Sequence, residues 1–106
     1  MSRVIKPISL RDEDHQILLG SAKVLGMSLK DYVESVLVVY MAKVKTNKDV
    51  QFMVPQKVNG TKPFAISTHI GRQVKDISGK KGVSQVNFIY SAFMWHIAEI
   101  TGVLTS

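Results

Sequence analysis

Two short stretches, KPISL at residues 6–10 and KPFAI at residues 62–66, decide how this chain folds. They begin 56 positions apart (62 − 6), and each places a Lys-Pro step before apolar residues that alternate with small ones. Because side chains of a β-strand alternate between two faces, Ile8 and Leu10 of the first stretch share one face. The pattern therefore predicts two short strands, each kept away from the centre of a larger sheet by its proline.

A pair of helices is predicted after the first strand. The stretch RDEDHQILLGSAKVLG has Asp12 as a predicted N-cap, acidic residues in the first turn and Gly26 as a C-terminal stop. Ser28 is the predicted cap of the second helix, in which apolar residues recur every three or four positions as far as Val44. This helix is apolar on more than one side, so we expect it to pack against another helix.

The second half of the chain repeats the order strand, helix, glycine turn, helix. Thr68 takes the cap position of the first helix, and Gly82 and Ser84 stand where the first half has its glycine and its serine cap. Leu37 and Phe93 fall at equivalent points of the two second helices. We therefore expect these two side chains to share one core.

A chain of 106 residues closes one modest core, so both halves are predicted to belong to one domain. Residues 45–60 read as a linker with turn signals, although the alternation of Val50, Phe52 and Val54 leaves a short extra strand open. The predicted organisation is a single domain over residues 1–106, with a first motif at 4–44, a linker at 45–60 and a second motif at 61–101.

Composition limits the functions to be considered. The net charge of +6 favours a polyanionic partner. The absence of cysteine excludes disulfides, thiolate metal sites and cysteine nucleophiles. The longest strongly apolar run is far shorter than the ~18 residues that span a bilayer. We therefore expect a cytoplasmic protein without a membrane partner.

Signals for catalysis or cofactor binding are weak. The three histidines lack metal-ligand spacing, and the acidic run from Asp12 to Asp14 is better explained by the dipole of the helix it begins. GKKG at residues 79–82 lacks the spacing of a nucleotide-binding loop. We therefore expect no enzyme activity, catalytic residue, metal, cofactor or small-molecule substrate.

The repeated order resembles the ribbon-helix-helix family of DNA-binding proteins, the MetJ/Arc class. In that family two copies of strand, helix and helix interlock, and their strands pair into an antiparallel ribbon that enters the major groove. Two copies in one chain are similar to the tandem form found among plasmid transfer proteins and regulators of archaeal filamentous viruses. The resemblance implies an α+β, mostly helical fold with two motifs on one core, acting on double-stranded DNA in the cytoplasm, which is the host's if the protein is viral.

The resemblance also implies two kinds of DNA contact: side chains on the outer face of the ribbon and phosphate contacts at the start of each second helix. The outer face differs from that of most family members, because it offers two prolines and an alanine where they place polar or basic residues. This departure favours recognition of DNA shape over base-edge hydrogen bonds. The expected DNA-binding residues are Arg3, Lys6, Ser9, Arg11, Ser28, Lys30, Lys62, Ala65, Ser67, Lys80, Lys81 and Ser84.

Two alternatives stay open at this point. The ribbon could form within one chain, with Ser9 opposite Ala65 and Ile5 opposite Thr61, or by exchange of strands in a homodimer; self-association is expected in either case. The function could instead be that of a protein-interaction module, such as an antitoxin or an accessory protein of plasmid transfer.

Overall fold

The computed structural model describes residues 2–56 and 60–102. Within these residues the chain forms an α+β fold in which a two-stranded antiparallel sheet is combined with four helices. The same order of strand, helix and helix occurs twice. The elements are β1 (Arg3–Ser9), α1 (Asp12–Val24), α2 (Leu29–Thr46), β2 (Thr61–Ser67), α3 (Thr68–Lys81) and α4 (Gln85–Thr101).

The two helix pairs turn at equivalent glycines. Gly26 has φ of 67° and Gly82 has φ of 70°, a left-handed conformation in which a Cβ atom is strained, so each glycine ends its helix as the sequence predicts. The predicted caps of α1 and α3 are wrong by one residue. Asp12 and Thr68 are the first helical residues, and the N-caps are Arg11 and Ser67. Neither of these two N-cap side chains accepts a hydrogen bond from a helix amide, whereas the serine caps of α2 and α4 both do.

The strands β1 and β2 of one chain pair antiparallel along their whole length, as the hypothesis of an internal ribbon predicts. Pro7 lies directly opposite Pro63. The remaining Cα partners are Arg3 and Ser67, Val4 and Ile66, Ile5 and Ala65, Lys6 and Phe64, Ile8 and Lys62, and Ser9 and Thr61.

The predicted register is wrong. The sequence expectation placed Ser9 opposite its own equivalent Ala65, whereas Ala65 is opposite Ile5, and Ser9 is opposite Thr61. The reason is geometric, because an antiparallel partner runs in the reverse direction. Only the residue at the centre of such a ribbon meets its own equivalent, and here that residue is the proline.

The hydrogen bonds at the ends of the ribbon explain why it tolerates two prolines. At one end the Leu10 amide donates to the Gly60 carbonyl at 3.0 Å, and at the other end the Thr68 amide donates to the Ser2 carbonyl at 3.2 Å. Because hydrogen-bonded and non-hydrogen-bonded pairs alternate in an antiparallel ladder, Pro7 and Pro63 form a non-hydrogen-bonded pair. The missing amide protons of the two prolines therefore cost the ladder no hydrogen bond.

The inner face of the ribbon and all four helices contribute to one hydrophobic cluster among the described residues. Ile8, Phe64 and Ile66 of the strands are buried, and so is Leu10, the residue after β1, as the alternation of apolar residues predicts. Leu37 and Phe93 are fully buried in the same cluster, so the two halves share one core.

The linker is packed on the core but does not form the extra strand that the sequence left open: residues 47–56 are described, and they contain no strand. Val50 and Phe52 are half-buried against the core, and the Met53 amide donates to the Ser91 hydroxyl at 2.7 Å. The Phe52 ring lies 5.8 Å from the ring of Phe88, measured between centroids. A side-chain hydroxyl thus takes the backbone hydrogen bond that a neighbouring strand would have taken.

None of the helices within the described residues has both the length and the apolar character needed to cross a membrane.

Candidate nucleic-acid interface

The outer face of the ribbon carries the alternate residues of both strands that point away from the helices. Ile5 is 57% exposed, and the central pair of prolines is exposed as well. Its composition changes along its length: Arg3 and the pair Ile5 and Ala65 lie on one side of the prolines, and the hydroxyl residues Ser9 and Thr61 lie on the other. The Ser9 hydroxyl donates to the Gln56 carbonyl at 3.0 Å.

The starts of α2 and α4 have the same local structure. Ser28 accepts a hydrogen bond from the Asp31 amide and Ser84 from the Asn87 amide, each at 3.1 Å. The sequence predicts both caps, and both are confirmed. At each helix start the positive end of the helix dipole reaches the surface, where an anion is stabilised.

A cluster of polar side chains joins the start of α2 to the end of β2. The Glu34 carboxylate accepts hydrogen bonds from the Ser67 amide at 2.7 Å, the Ser67 hydroxyl at 2.9 Å and the Lys30 ammonium at 2.8 Å. Burial raises the pKa of Glu34, but the hydrogen bonds from Lys30 and Ser67 outweigh it and hold the pKa below its usual value. We call this group the Glu34 cluster.

The Glu34 cluster changes the roles of two expected DNA-binding residues. Ser67 is only 4% exposed, and its hydroxyl also accepts from Lys30 at 2.9 Å, so its polar atoms are engaged inside the protein. Lys30 lies at the surface edge of the cluster, with 24% of its side chain exposed. The spacing of Lys30 and Glu34 at i and i+4 is visible in the sequence, but the contact with Ser67 is not.

At the opposite end of the ribbon, Arg11 precedes α1 and contacts the first turn of that helix. Arg11 donates two hydrogen bonds to the buried Asp14, at 3.0 and 3.1 Å, and lies 3.5 Å from Glu13. The hydrogen bond and charge of Asp14 raise the pKa of Arg11 above its usual value. Tyr90 lies near this pair, and burial raises the pKa of its phenol. Arg11 remains about half exposed, so part of its guanidinium faces solvent.

Both lysines that precede the prolines are half-buried on the inner side of the ribbon. Lys6 donates to the Gln85 side chain at 2.8 Å, and Lys62 forms a 2.5 Å ion pair with Asp12. The hydrogen bond and charge of Lys62 lower the pKa of the Asp12 carboxyl. The sequence identifies the two lysines but not their partners, because side chains on the inner face of the ribbon meet their acceptors only when the helices have packed against it.

Lys80 and Lys81 lie in the last turn of α3 and are exposed. Lys80 pairs with Asp76 at 3.2 Å, an exposed i,i+4 pair that contributes little to stability. Of the expected cationic contacts, Arg3, Arg11, Lys80 and Lys81 are exposed, whereas Lys6, Lys30 and Lys62 are half-buried.

The structure thus places the expected residues around one ribbon, at its outer face, its two ends and the two helix starts beside it. Within the described residues there is no group of three or more histidine, aspartate and glutamate side chains that could hold a metal ion. Comparison of the chain with protein-family models, with curated proteins and with solved structures finds no match.

Proposed function

We propose that this protein is a DNA-binding transcriptional regulator of the ribbon-helix-helix type, built as two motifs in one chain. The observation that carries the proposal is the isolated two-stranded ribbon, whose inner face is covered by helices while its outer face is exposed. A two-stranded ribbon of this kind fits the major groove of B-DNA.

The distribution of charge supports the same proposal. The chain has a net charge of +6, and DNA binding by cationic side chains is driven by release of condensed counterions. The capped starts of α2 and α4 would each take a backbone phosphate on either side of the groove, so that Ser28 and Ser84 position the ribbon.

The outer face of the ribbon favours a particular mode of recognition. Ile5, Ala65 and the two prolines offer no hydrogen-bond donor to base edges in the middle of the face, so selectivity would depend on DNA shape and on apolar contact with thymine methyl groups. Because the hydroxyl residues lie at one side only, the preferred DNA site is an imperfect palindrome.

The lysines fall into two groups by accessibility. Lys80 and Lys81 are exposed and would contact phosphate without any rearrangement. Lys6, Lys62 and Lys30 would each have to exchange an acceptor within the protein for a phosphate oxygen. We therefore expect the exposed pair to contribute most to the dependence of binding on salt.

Footprinting on the DNA upstream of the gene that encodes the protein, followed by titration of salt, tests the proposal. The logarithm of the binding constant should fall linearly with the logarithm of salt concentration. Lys80→Ala and Lys81→Ala should each lower the slope by about one unit. Lys45→Ala is the matched control, because this exposed lysine lies near the far end of α2, about 22 Å along the helix from Lys30.

A protected site with a steep salt dependence is the expected result. A binding constant that does not respond to salt, or a slope that Lys45→Ala lowers as much as Lys80→Ala does, would contradict the proposed interface.

The second candidate function is that of a protein-interaction module. An open apolar groove between α1, α2 and α4 favours it, since a surface of this kind serves contact with proteins better than contact with phosphate.

A further inference from the structure

An apolar groove with a volume of about 800 Å³ lies between α1, α2 and α4. Val24 and Leu25 at the end of α1 are 84% and 64% exposed, and Val39 of α2 is 55% exposed. Trp95 and His96 of α4 complete its wall. Val24, Leu25 and Val39 are therefore largely open to solvent within the described residues.

The repeat relates this groove to a second site that is filled. Tyr32, Ser35 and Val39 of α2 correspond, at the offset of 56 residues, to Phe88, Ser91 and Trp95 of α4. The linker lies over that second site. Phe52 contacts Phe88, and the Met53 amide donates to the Ser91 hydroxyl at 2.7 Å.

The filled site shows what kind of chain the geometry accepts. Residues 50–53 have no helix or strand, and Val50 and Phe52 are half-buried while Gln51 and Met53 are exposed. An extended segment thus places every second side chain, one of them aromatic, against the helices. The Ser91 hydroxyl of α4 accepts a hydrogen bond from one backbone amide of the segment.

The open groove also contains a serine hydroxyl, that of Ser35, which could accept a hydrogen bond from such an amide. The Ser35 hydroxyl donates to the Tyr32 carbonyl, three residues earlier, at 2.7 Å, and its equivalent Ser91 donates to the Asn87 carbonyl, four residues earlier, at 2.8 Å. A hydroxyl oxygen that donates its proton still has lone pairs for an incoming amide. A hydrogen bond joins Tyr32 and His96, two of the residues that line the groove.

We propose that the open groove binds an extended segment of a partner protein in which an apolar residue and an aromatic residue are separated by one position. The segment would lie on α2 and α4 as the linker lies on the equivalent site, with a backbone amide on Ser35. A second copy of this chain is less suited as the donor, because its own Phe52 is already packed against Phe88. This binding site does not depend on the proposed DNA-binding function.

The test uses the full chain and a synthetic peptide with the sequence of residues 48–56, KDVQFMVPQ, as the probe. Amide NMR signals of the ¹⁵N-labelled protein should shift in a saturable way at Gly20, Val24 and Val39, which line the open groove. The same peptide with serine in place of its phenylalanine should bind at least about tenfold more weakly, since it loses the aromatic contact.

Matched variants identify the groove as the site. Val39→Asp should weaken peptide binding at least about tenfold, whereas Val38→Asp should leave it unchanged, because Val38 is 48% exposed but does not line the groove. Gly20→Phe should fill the groove, since a Cβ atom at Gly20 meets nothing within 4 Å. Gly79→Phe, at another open helical glycine, is its control. Thermal unfolding of each variant establishes that it is folded.

Outcomes of three kinds would overturn the proposal. The first is an absence of saturable shifts at the groove, or equal loss of binding in Val38→Asp and Val39→Asp. The second is self-association in sedimentation experiments that Val39→Asp abolishes, which would make the groove an interface between copies of the chain. The third is peptide binding only after residues 103–106 are removed, which would make those residues the occupant.

Discussion

Glu34 is the acidic residue on which the join between α2 and β2 depends. Its carboxylate accepts hydrogen bonds from the Lys30 ammonium and from the amide and hydroxyl of Ser67, and its side chain is only 16% exposed. Hydrogen bonds to a charged acceptor that is shielded from water are stronger than those between neutral groups. The Glu34 cluster therefore fixes the end of β2 against the helix whose start lies beside the ribbon.

Glu34→Gln should destabilise the protein by about 1–2 kcal/mol at neutral pH. The glutamine amide is neutral, and it offers one acceptor oxygen where the carboxylate offers two. Since the folded-state pKa of Glu34 lies below its unfolded value, the stability it contributes is present above the unfolded value and is lost as pH falls through the folded one. Denaturant unfolding should therefore show a difference between wild type and variant that shrinks in acid.

The control for this measurement is Glu99→Gln, at an exposed glutamate of α4. Its stability should stay within about 0.5 kcal/mol of wild type at neutral pH. A difference between wild type and Glu34→Gln that stays constant from neutral to acidic pH would contradict the role of the Glu34 charge.

Among the secondary-structure elements, the pairing of β1 with β2 distinguishes a ribbon formed within one chain from exchange of strands between two chains. Ile5 and Ala65 form a non-hydrogen-bonded pair, in which Cα atoms lie about 4.5 Å apart, within the range that a disulfide spans. The chain has no cysteine of its own, so an engineered pair reports on the register without interference.

The double variant Ile5→Cys, Ala65→Cys should oxidise to a closed monomer, detected by faster migration in non-reducing electrophoresis. Its control is Ser9→Cys, Ala65→Cys, in which the two positions are four residues apart along the ribbon, about 13 Å, and too far for a disulfide. Covalent dimers as the main product of the first pair would support exchange of strands between two chains and contradict the internal ribbon.

Both strands and both helix pairs follow from local patterns that the sequence displays. Alternating apolar residues select the inner face of each strand, and a glycine two positions before a serine marks each helix pair. The register does not follow from such patterns, because a shift by two residues keeps the same side chains on the inner face. The packing of the linker on Phe88 and the burial of Ser67 also depend on contacts between distant residues, which no local pattern contains.

On the scale of the whole molecule, we expect the two halves to fold and unfold together, because within the described residues each strand pairs with the strand of the other half and the inner faces share one cluster. Phe93 of α4 lies against Phe64 of β2, with ring centroids 4.8 Å apart. Leu37, its equivalent in α2, is fully buried in the same cluster. Unfolding of either half therefore exposes the core of the other.

Leu37→Ala and Phe93→Ala should each cost about 2–5 kcal/mol, and each variant should still unfold in a single transition. Calorimetry with circular dichroism and tryptophan fluorescence as separate probes would measure this. Trp95 lies in the second half, so a fluorescence transition that separates from the helical signal in Leu37→Ala would show that the halves unfold independently.

We expect the pair of prolines at the centre of the ribbon to disfavour aggregation as well. In a non-hydrogen-bonded pair the backbone amides point outward, toward the two open edges of the sheet. Pro7 and Pro63 have no amide proton, and at the end of β2 the outward amide of Ser67 is already bound by Glu34. A foreign strand that approached either edge would find no donor at its midpoint, so the ribbon stays exposed without recruiting further strands.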